Sequence, residues 1–431
     1  MNVSQKGKHN DDRETARPIF DETTNVERVT GLTQRMKNLY QCISQALCAI
    51  GLFLSSWIIL PAPTAIFLPL SVGAPEVSGW LLGLNLLGGL LVIVEARKKL
   101  LSQIALVLSV IGLVLCLLPF SQLSAVNQQA KTSMSQSLGV DYLGTVPKDL
   151  ESQMRPQPFV VEDGFKGIQT EKVRYTSGIP YTQNNGVPLT LDIYRPSQVG
   201  QYPGVMVIHG GAWQRGDPSD NEAFNRYLAA RGYVVWSISY RLAPSARFPA
   251  QIEDVGAALS FLREHATEYE TKADRIALLG RSAGAQLALL AAYTPSAIKV
   301  RAVVDYYGPV DLEVGYNDPP NPDPINTRVV LETFLGGSPK EVPKLYEQAS
   351  PLRLVKKSLP ASLLIYGGRD NVVQSKYGRG LYERLKSEGN KVVFIEMPWA
   401  DHAFDTVFNG ISGQFSLYYT ERFLAWALYS N

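Results

Sequence analysis

Cysteine is scarce in this chain: Cys42, Cys48 and Cys116 are the only three in 431 residues, and all fall in its first third. No Cys-x-x-Cys pair is present, so neither a disulfide framework nor a thiolate-ligated metal site is expected. Residues 131–431 hold no cysteine, which suits an oxidising or a reducing compartment alike. Histidine is nearly as rare, at four positions, and no His-Glu-x-x-His occurs. Nor is there a glycine-rich loop followed by the lysine of a phosphate cradle. Zinc-hydrolase and nucleotide-binding motifs are thus missing, and no metal site is read. Neither sign of charge dominates: 41 Lys and Arg stand against 39 Asp and Glu, a formal net charge of +2. The chain as a whole has no electrostatic reason to seek nucleic acid.

Charge is missing altogether from three stretches, 38–75, 77–94 and 100–130. Within them, 42–60, 77–94 and 100–120 are almost purely apolar and about as long as an α-helix must be to cross a hydrocarbon core. Pro61, Pro63, Pro69 and Pro75 break the chain between the first and second of these. The reading is a membrane anchor over 41–120 with three transmembrane helices, and the lipid bilayer is the partner it implies. A cleaved signal peptide fits poorly, because about 40 polar residues precede the first span and two more follow. Arg28, Arg35 and Lys37 flank the first span, and Arg97, Lys98 and Lys99 separate the second from the third. The loop 61–76 has neither Lys nor Arg. That bias places the N-terminus in the cytoplasm and everything after Phe120 on the other side. Residues 1–40 read as a disordered polar tail, and 121–158, rich in Ser and Gln, as a stalk that is helical at first.

From residue 159 to 431, short apolar runs alternate with helical stretches, the pattern of an α/β sheet. Strands are expected over 189–194, 205–209, 234–239, 275–279, 302–306, 363–366 and 392–397. Helices are expected over 221–231, 252–264, 283–293, 375–387 and 414–429. Several of the strands are continuously apolar, as in a parallel sheet covered on both faces.

One turn in this region carries chemistry. Gly280-Arg281-Ser282-Ala283-Gly284 follows an apolar run and opens a stretch of strong helix formers. A serine on a sharp strand-to-helix turn needs small neighbours two residues away and faces the free N–H groups of the helix. His209-Gly210-Gly211-Ala212-Trp213 follows another expected strand. Two adjacent glycines let backbone N–H groups approach a developing oxyanion, so Gly210 and Gly211 are candidate donors, joined by the Ala283 N–H. A serine hydroxyl is a weak nucleophile without a base. Of the four histidines, His9 lies in the polar tail, His209 opens the glycine turn and His265 ends a polar helix. His402, after the last expected strand, is the candidate. Asp370, just past the 363–366 strand, is the carboxylate to orient it; Asp401 competes, but its adjacency to His402 makes the pairing awkward. Trp213 and Trp399 flank the glycine loop and the histidine and are candidate pocket walls. The proline-rich insertion 311–351 either roofs the site or forms a surface loop.

The order Ser282, Asp370, His402 resembles that of the α/β-hydrolases. The domain is similar to their esterase and lipase branch, near the hormone-sensitive-lipase-like carboxylesterases and the acetylxylan- and feruloyl-esterase-like group. Ser239-Tyr240-Arg241-Leu242-Ala243-Pro244, the Phe248-Pro249-Ala250-Gln251 segment and Tyr306-Tyr307-Gly308-Pro309 carry the likeness further. Gly-Gly-Ala-Trp stands where the hormone-sensitive-lipase group has three glycines, which leans toward the second group. The resemblance covers roughly residues 170–430 and not the apolar front. It implies a mostly parallel eight-stranded sheet and hydrolysis of small carboxylic esters without metal or organic cofactor. The expectation is a membrane-anchored serine ester hydrolase. An amidase, a peptidase or an acyltransferase would use the same machinery, and a non-catalytic membrane-bound binding module is the alternative from another class.

Overall fold

A computed structural model describes residues 22–95, 100–184, 186–295 and 298–430. The basic residues Arg97, Lys98 and Lys99 and the first 21 residues of the expected tail lie outside them. The C-terminal two thirds is built on one eight-stranded sheet. Its strands are β1 Arg174–Asn184, β2 Val187–Arg195, β3 Tyr202–Ile208, β4 Val234–Ile238, β5 Thr271–Arg281, β6 Val300–Tyr306, β7 Ala361–Gly367 and β8 Val392–Met397. Their order across the sheet is β1-β2-β4-β3-β5-β6-β7-β8. β1 pairs antiparallel with β2 and β2 with β4; every pairing from β4 to β8 is parallel. Seven of the strands match the apolar runs in the sequence. β1 does not announce itself, because its register shifts twice, around Gly178 and Pro180, and it has one paired edge only.

β4 and β7 are buried at every residue, so their β-branched and aromatic side chains meet helices on both faces. Helices of the sheet domain are α7 Glu222–Ala230, α8 Ala250–His265, α9 Ala283–Tyr293, α13 Ser375–Ser387 and α14 Ile411–Tyr429. The insertion at 311–351 folds into α10 Leu312–Asn317, α11 Thr327–Leu335 and α12 Pro343–Gln348.

The apolar front comprises α1 Glu22–Ser56, α2 Leu68–Glu76, α3 Ser78–Glu95 and α4 Leu100–Leu138, with the short α5 Lys148–Gln153 and α6 Val161–Lys166 after it. Among the described residues, two helices are long and apolar enough to cross a membrane, Arg28–Ser56 and Leu100–Leu138. The pair Ala65–Glu76 and Ser78–Val94, bent by 83° at its break, passes the same criteria taken together. α1, α3 and α4 are tied by small and polar groups as well as by apolar contacts such as those of Cys48, Val92 and Ala105. Asn85 donates to Ser55 Oγ at 2.8 Å, and Ser109 donates to the Asn85 carbonyl at 2.6 Å. A methyl group on Gly112 or Gly51 would strike the Asn85 side chain, so the backbones come close where those hydrogen bonds form.

α4 runs well past the apolar stretch. Residues 121–138, read from the sequence as the start of a stalk, continue this helix along the outer edge of β8. Val126, Ala130, Met134 and Leu138 enter the main core. The Ser137 hydroxyl donates to the Val392 carbonyl, and Ser133 Oγ accepts from the Phe394 N–H at 3.4 Å. Together they occupy backbone groups that a bare edge strand would leave open. Farther along, Arg155 Nη2 donates to Gln414 Oε1 at 2.6 Å and the Arg155 N–H to Glu421 at 2.7 Å.

Candidate active site

The C-terminal ends of the parallel strands β3, β5, β7 and β8 point the same way, and the candidate residues follow them. Ser282 sits between β5 and α9 with φ 52° and ψ −122°, a strained setting for a residue with a Cβ. Its flanking glycines have a steric cause. A Cβ on Gly284 would run into the carbonyl oxygens of Ile208 and His209, and one on Gly280 into the backbone of Gly284 and Ala285. The Ser282 N–H is held by the Tyr306 carbonyl at 2.9 Å, which fixes the turn to the neighbouring strand.

His402 Nε2 lies 2.9 Å from Ser282 Oγ, and its Nδ1 lies 2.7 Å from Asp370 Oδ2. The other Asp370 oxygen accepts the Val372 and Val373 N–H groups at 2.8 and 2.7 Å, so the carboxylate is oriented from behind. Asp401, the competing acid, instead accepts the N–H of His402 itself at 2.7 Å. Burial opposes charge on the His402 ring, but the Asp370 charge and hydrogen bond, with Asp401 and Asp405 nearby, prevail and hold its pKa above the usual 6.5. His209 is the opposite case: buried, stacked on Tyr240 at 4.2 Å, with Nδ1 against the Gly210 carbonyl, and with its pKa lowered chiefly by burial.

Gly210 and Gly211 line the cleft that also holds Ser282 and His402. A Cβ on Gly210 would stand 3.4 Å from Ser282 Cβ. Ala283 opens α9, where the first N–H groups have no acceptor within the helix. Trp213 borders a narrow apolar pocket beside Ser282; its ring stacks on Phe334 at 4.0 Å and its Nε1 donates to Gln286 at 3.0 Å. Trp399 lies elsewhere. It is buried in the core, donating to Ser412 Oγ at 2.9 Å and meeting the Phe415 ring edge-on, and it lines neither cavity at Ser282. Adjacency in sequence to His402 misled the pocket assignment, because the chain turns inward before the histidine loop. The 311–351 insertion is a wall of the site: Leu312, Pro320, Ile325 and Leu331 line the apolar pocket.

Two features of the site were not read from the sequence. Tyr307, in a motif recognised only for its likeness, packs edge-on against His402 at 4.8 Å and donates to Asp405, which also pairs with Arg281 of the serine turn. The second is the apolar front itself. The guanidinium of Arg369 donates to the carbonyls of Ile58 and Leu60, the latter at 3.0 Å, and Asn371 donates to the Ala62 carbonyl at 3.0 Å. Both neighbours of Asp370 are thus fastened to the segment that follows α1. Leu68, at the start of α2, lines the Ser282 cleft.

A mostly parallel sheet in this strand order, with a serine at a strand-to-helix turn and a histidine after the last strand, has the architecture of the α/β-hydrolase fold. Residues 191–385 match the family model BD-FAE. The esterase LipC of Mycobacterium tuberculosis is 32% identical over 236 residues, covering 50% of this chain and 57% of that protein. The probable carboxylic ester hydrolase LipM of the same organism is 31% identical over 232 residues, covering 50% and 53%. The chain thus spans little more than half the length of these relatives. A fungal esterase structure from Rhizomucor miehei superposes with a TM-score of 0.52 at 20% identity, over 71% of this chain and 91% of that one, and shares the fold. The chain has the α/β-hydrolase fold, and its sheet domain is similar in sequence to the esterase and lipase branch of that superfamily.

Proposed function

We propose that the chain is a membrane-anchored serine hydrolase of carboxylic esters, with Ser282, His402 and Asp370 as its triad. The observation that carries this reading is the continuous relay from Ser282 Oγ through the His402 ring to Asp370, at 2.9 and 2.7 Å. Ser282 Oγ attacks the ester carbonyl carbon while its proton passes to His402 Nε2. The charge on the carbonyl oxygen falls to the N–H groups of Gly210, Gly211 and Ala283. The bond to the alcohol then breaks, and the same proton goes to the leaving oxygen. Water, deprotonated by His402, releases the acid from the acyl-serine. Sequence similarity to LipC and LipM supports the ester class.

The apolar helices support anchoring in a bilayer, and the placement of Arg28, Arg35 and Lys37 in the N-terminal part of α1, ahead of its charge-free stretch, supports a cytoplasmic N-terminus with the hydrolase domain on the opposite side. One experiment tests both parts. A membrane-impermeant fluorophosphonate probe, applied to sealed cells expressing the full chain, is expected to label the wild type and not Ser282→Ala. The variant is expected to lose short-ester hydrolysis by about 10³-fold or more. Undiminished turnover in Ser282→Ala sinks the catalytic assignment, and labelling only after lysis sinks the orientation.

A further inference from the structure

Two cavities meet at Ser282, and they differ in size and in what lines them. The apolar pocket beside Trp213 has a volume of about 60 Å³. It is the smaller of the two and suits a short group. The cleft on the other side holds about 660 Å³ and is bordered by His402, the glycine loop and Leu68. Which end of an ester lies where follows from the chemistry. The leaving oxygen must receive its proton from His402 Nε2, so the alcohol lies on the His402 side, in the large cleft, and the acyl group lies in the small pocket.

One border of the large cleft comes from the apolar front. Leu68 borders it from α2, and Ile66, two residues earlier, is 84% exposed. Pro61, Pro63, Ala65 and Pro69 are exposed around them. This rim belongs to the charge-free run 38–75. It joins the end of α1 to α3, and α2 lies at 83° to α3. If α3 crosses the bilayer, α2 lies in the plane of its surface, at the level where the cleft opens. The same cleft is also lined by Arg215, Asp217 and Asp220, so it combines an apolar border from α2 with charged side chains. An amphiphile fits such a space.

We propose that the substrate is a short-acyl ester of a membrane-resident amphiphilic alcohol, which reaches Ser282 laterally from the bilayer through the rim at Ile66 and Leu68. The proposal rests on the ester-hydrolase reading and on the anchor crossing a membrane. The dissolved alternative, an acetylated sugar or similar solute, uses the same triad without the rim.

The test uses the full chain reconstituted in phosphatidylcholine vesicles. Three substrates are compared: dissolved p-nitrophenyl acetate, hexadecyl acetate in the bilayer, and methyl palmitate in the bilayer, whose long chain is on the acyl side. Hexadecyl acetate is expected to be cleaved at least tenfold faster than methyl palmitate, whose long acyl chain the small pocket does not admit. Ile66→Asp is expected to lower the ratio of hexadecyl acetate to p-nitrophenyl acetate turnover about fivefold or more, by weakening contact of the rim with lipid, and Ile66→Leu to restore it. Equal loss on both acetates, no change in their ratio, or faster cleavage of methyl palmitate overturns the proposal. If the wild type leaves p-nitrophenyl acetate untouched, or Ser282→Ala still cleaves it, the ester-hydrolase reading has failed and takes the proposal with it.

Discussion

At the scale of single residues, the behaviour of His402 depends on its neighbours. A base must be neutral to accept the serine proton, and the Asp370 carboxylate 2.7 Å away favours the charged ring. The outcome, a pKa above the ordinary 6.5, has a direct consequence. The neutral base is lost as pH falls through that raised value, so the acid limb of kcat/KM is expected above pH 6.5. Asp370→Asn removes the attracting charge, so the limb is expected to move toward lower pH while turnover drops about 10⁴-fold through loss of the correct tautomer. A pH profile of short-ester hydrolysis measures both. A limb that stays put in the variant means that Asp370 does not face the base in solution.

At the scale of elements, the β5–α9 turn shows why the motif needs its glycines. Gly284 faces the end of β3, where a methyl group has no space beside the Ile208 and His209 carbonyls. Gly284→Ala is therefore expected to destabilise the fold by about 1–3 kcal/mol through overpacking. Gly256, exposed within α8 and with nothing within 4 Å of its would-be Cβ, is the contrasting case. Gly256→Ala is expected to stabilise by about 0.5–1 kcal/mol, the helix penalty of glycine relieved. Denaturation of the two variants side by side decides; equal effects would mean the turn is looser than its packing.

At the scale of the whole molecule, the apolar front and the hydrolase domain are structurally continuous. α4 runs from the apolar front along β8, placing Val126, Ala130, Met134 and Leu138 in the main core. A fragment that begins at residue 159 loses that cover and bares the β8 edge; one that begins at 121 keeps it. The shorter fragment is expected to be less stable by about 5 kcal/mol, from the apolar side chains it exposes, and to self-associate through the open edge. Chemical denaturation of the two fragments, with light scattering, checks this. Equal midpoints would show that the helix only leans on the sheet.

Much of this protein was already determined along the chain. Seven strands, the serine turn, the glycine loop and the three apolar stretches are local patterns, set by side-chain periodicity, turn chemistry and the length of a bilayer span, and they are legible one segment at a time. Which carboxylate meets His402 was a preference from spacing, and the tertiary contact with Asp370 rather than Asp401 is what the folded chain supplies. Trp399 and Trp213 look alike beside their motifs, yet one is walled into the core and the other borders the pocket, because burial is decided by elements distant in sequence. The docking of 121–138 on β8 and the fastening of Arg369 and Asn371 to 58–62 were invisible for the same reason. Each joins segments tens to hundreds of residues apart, and no local pattern encodes a contact whose partner lies so far along the chain.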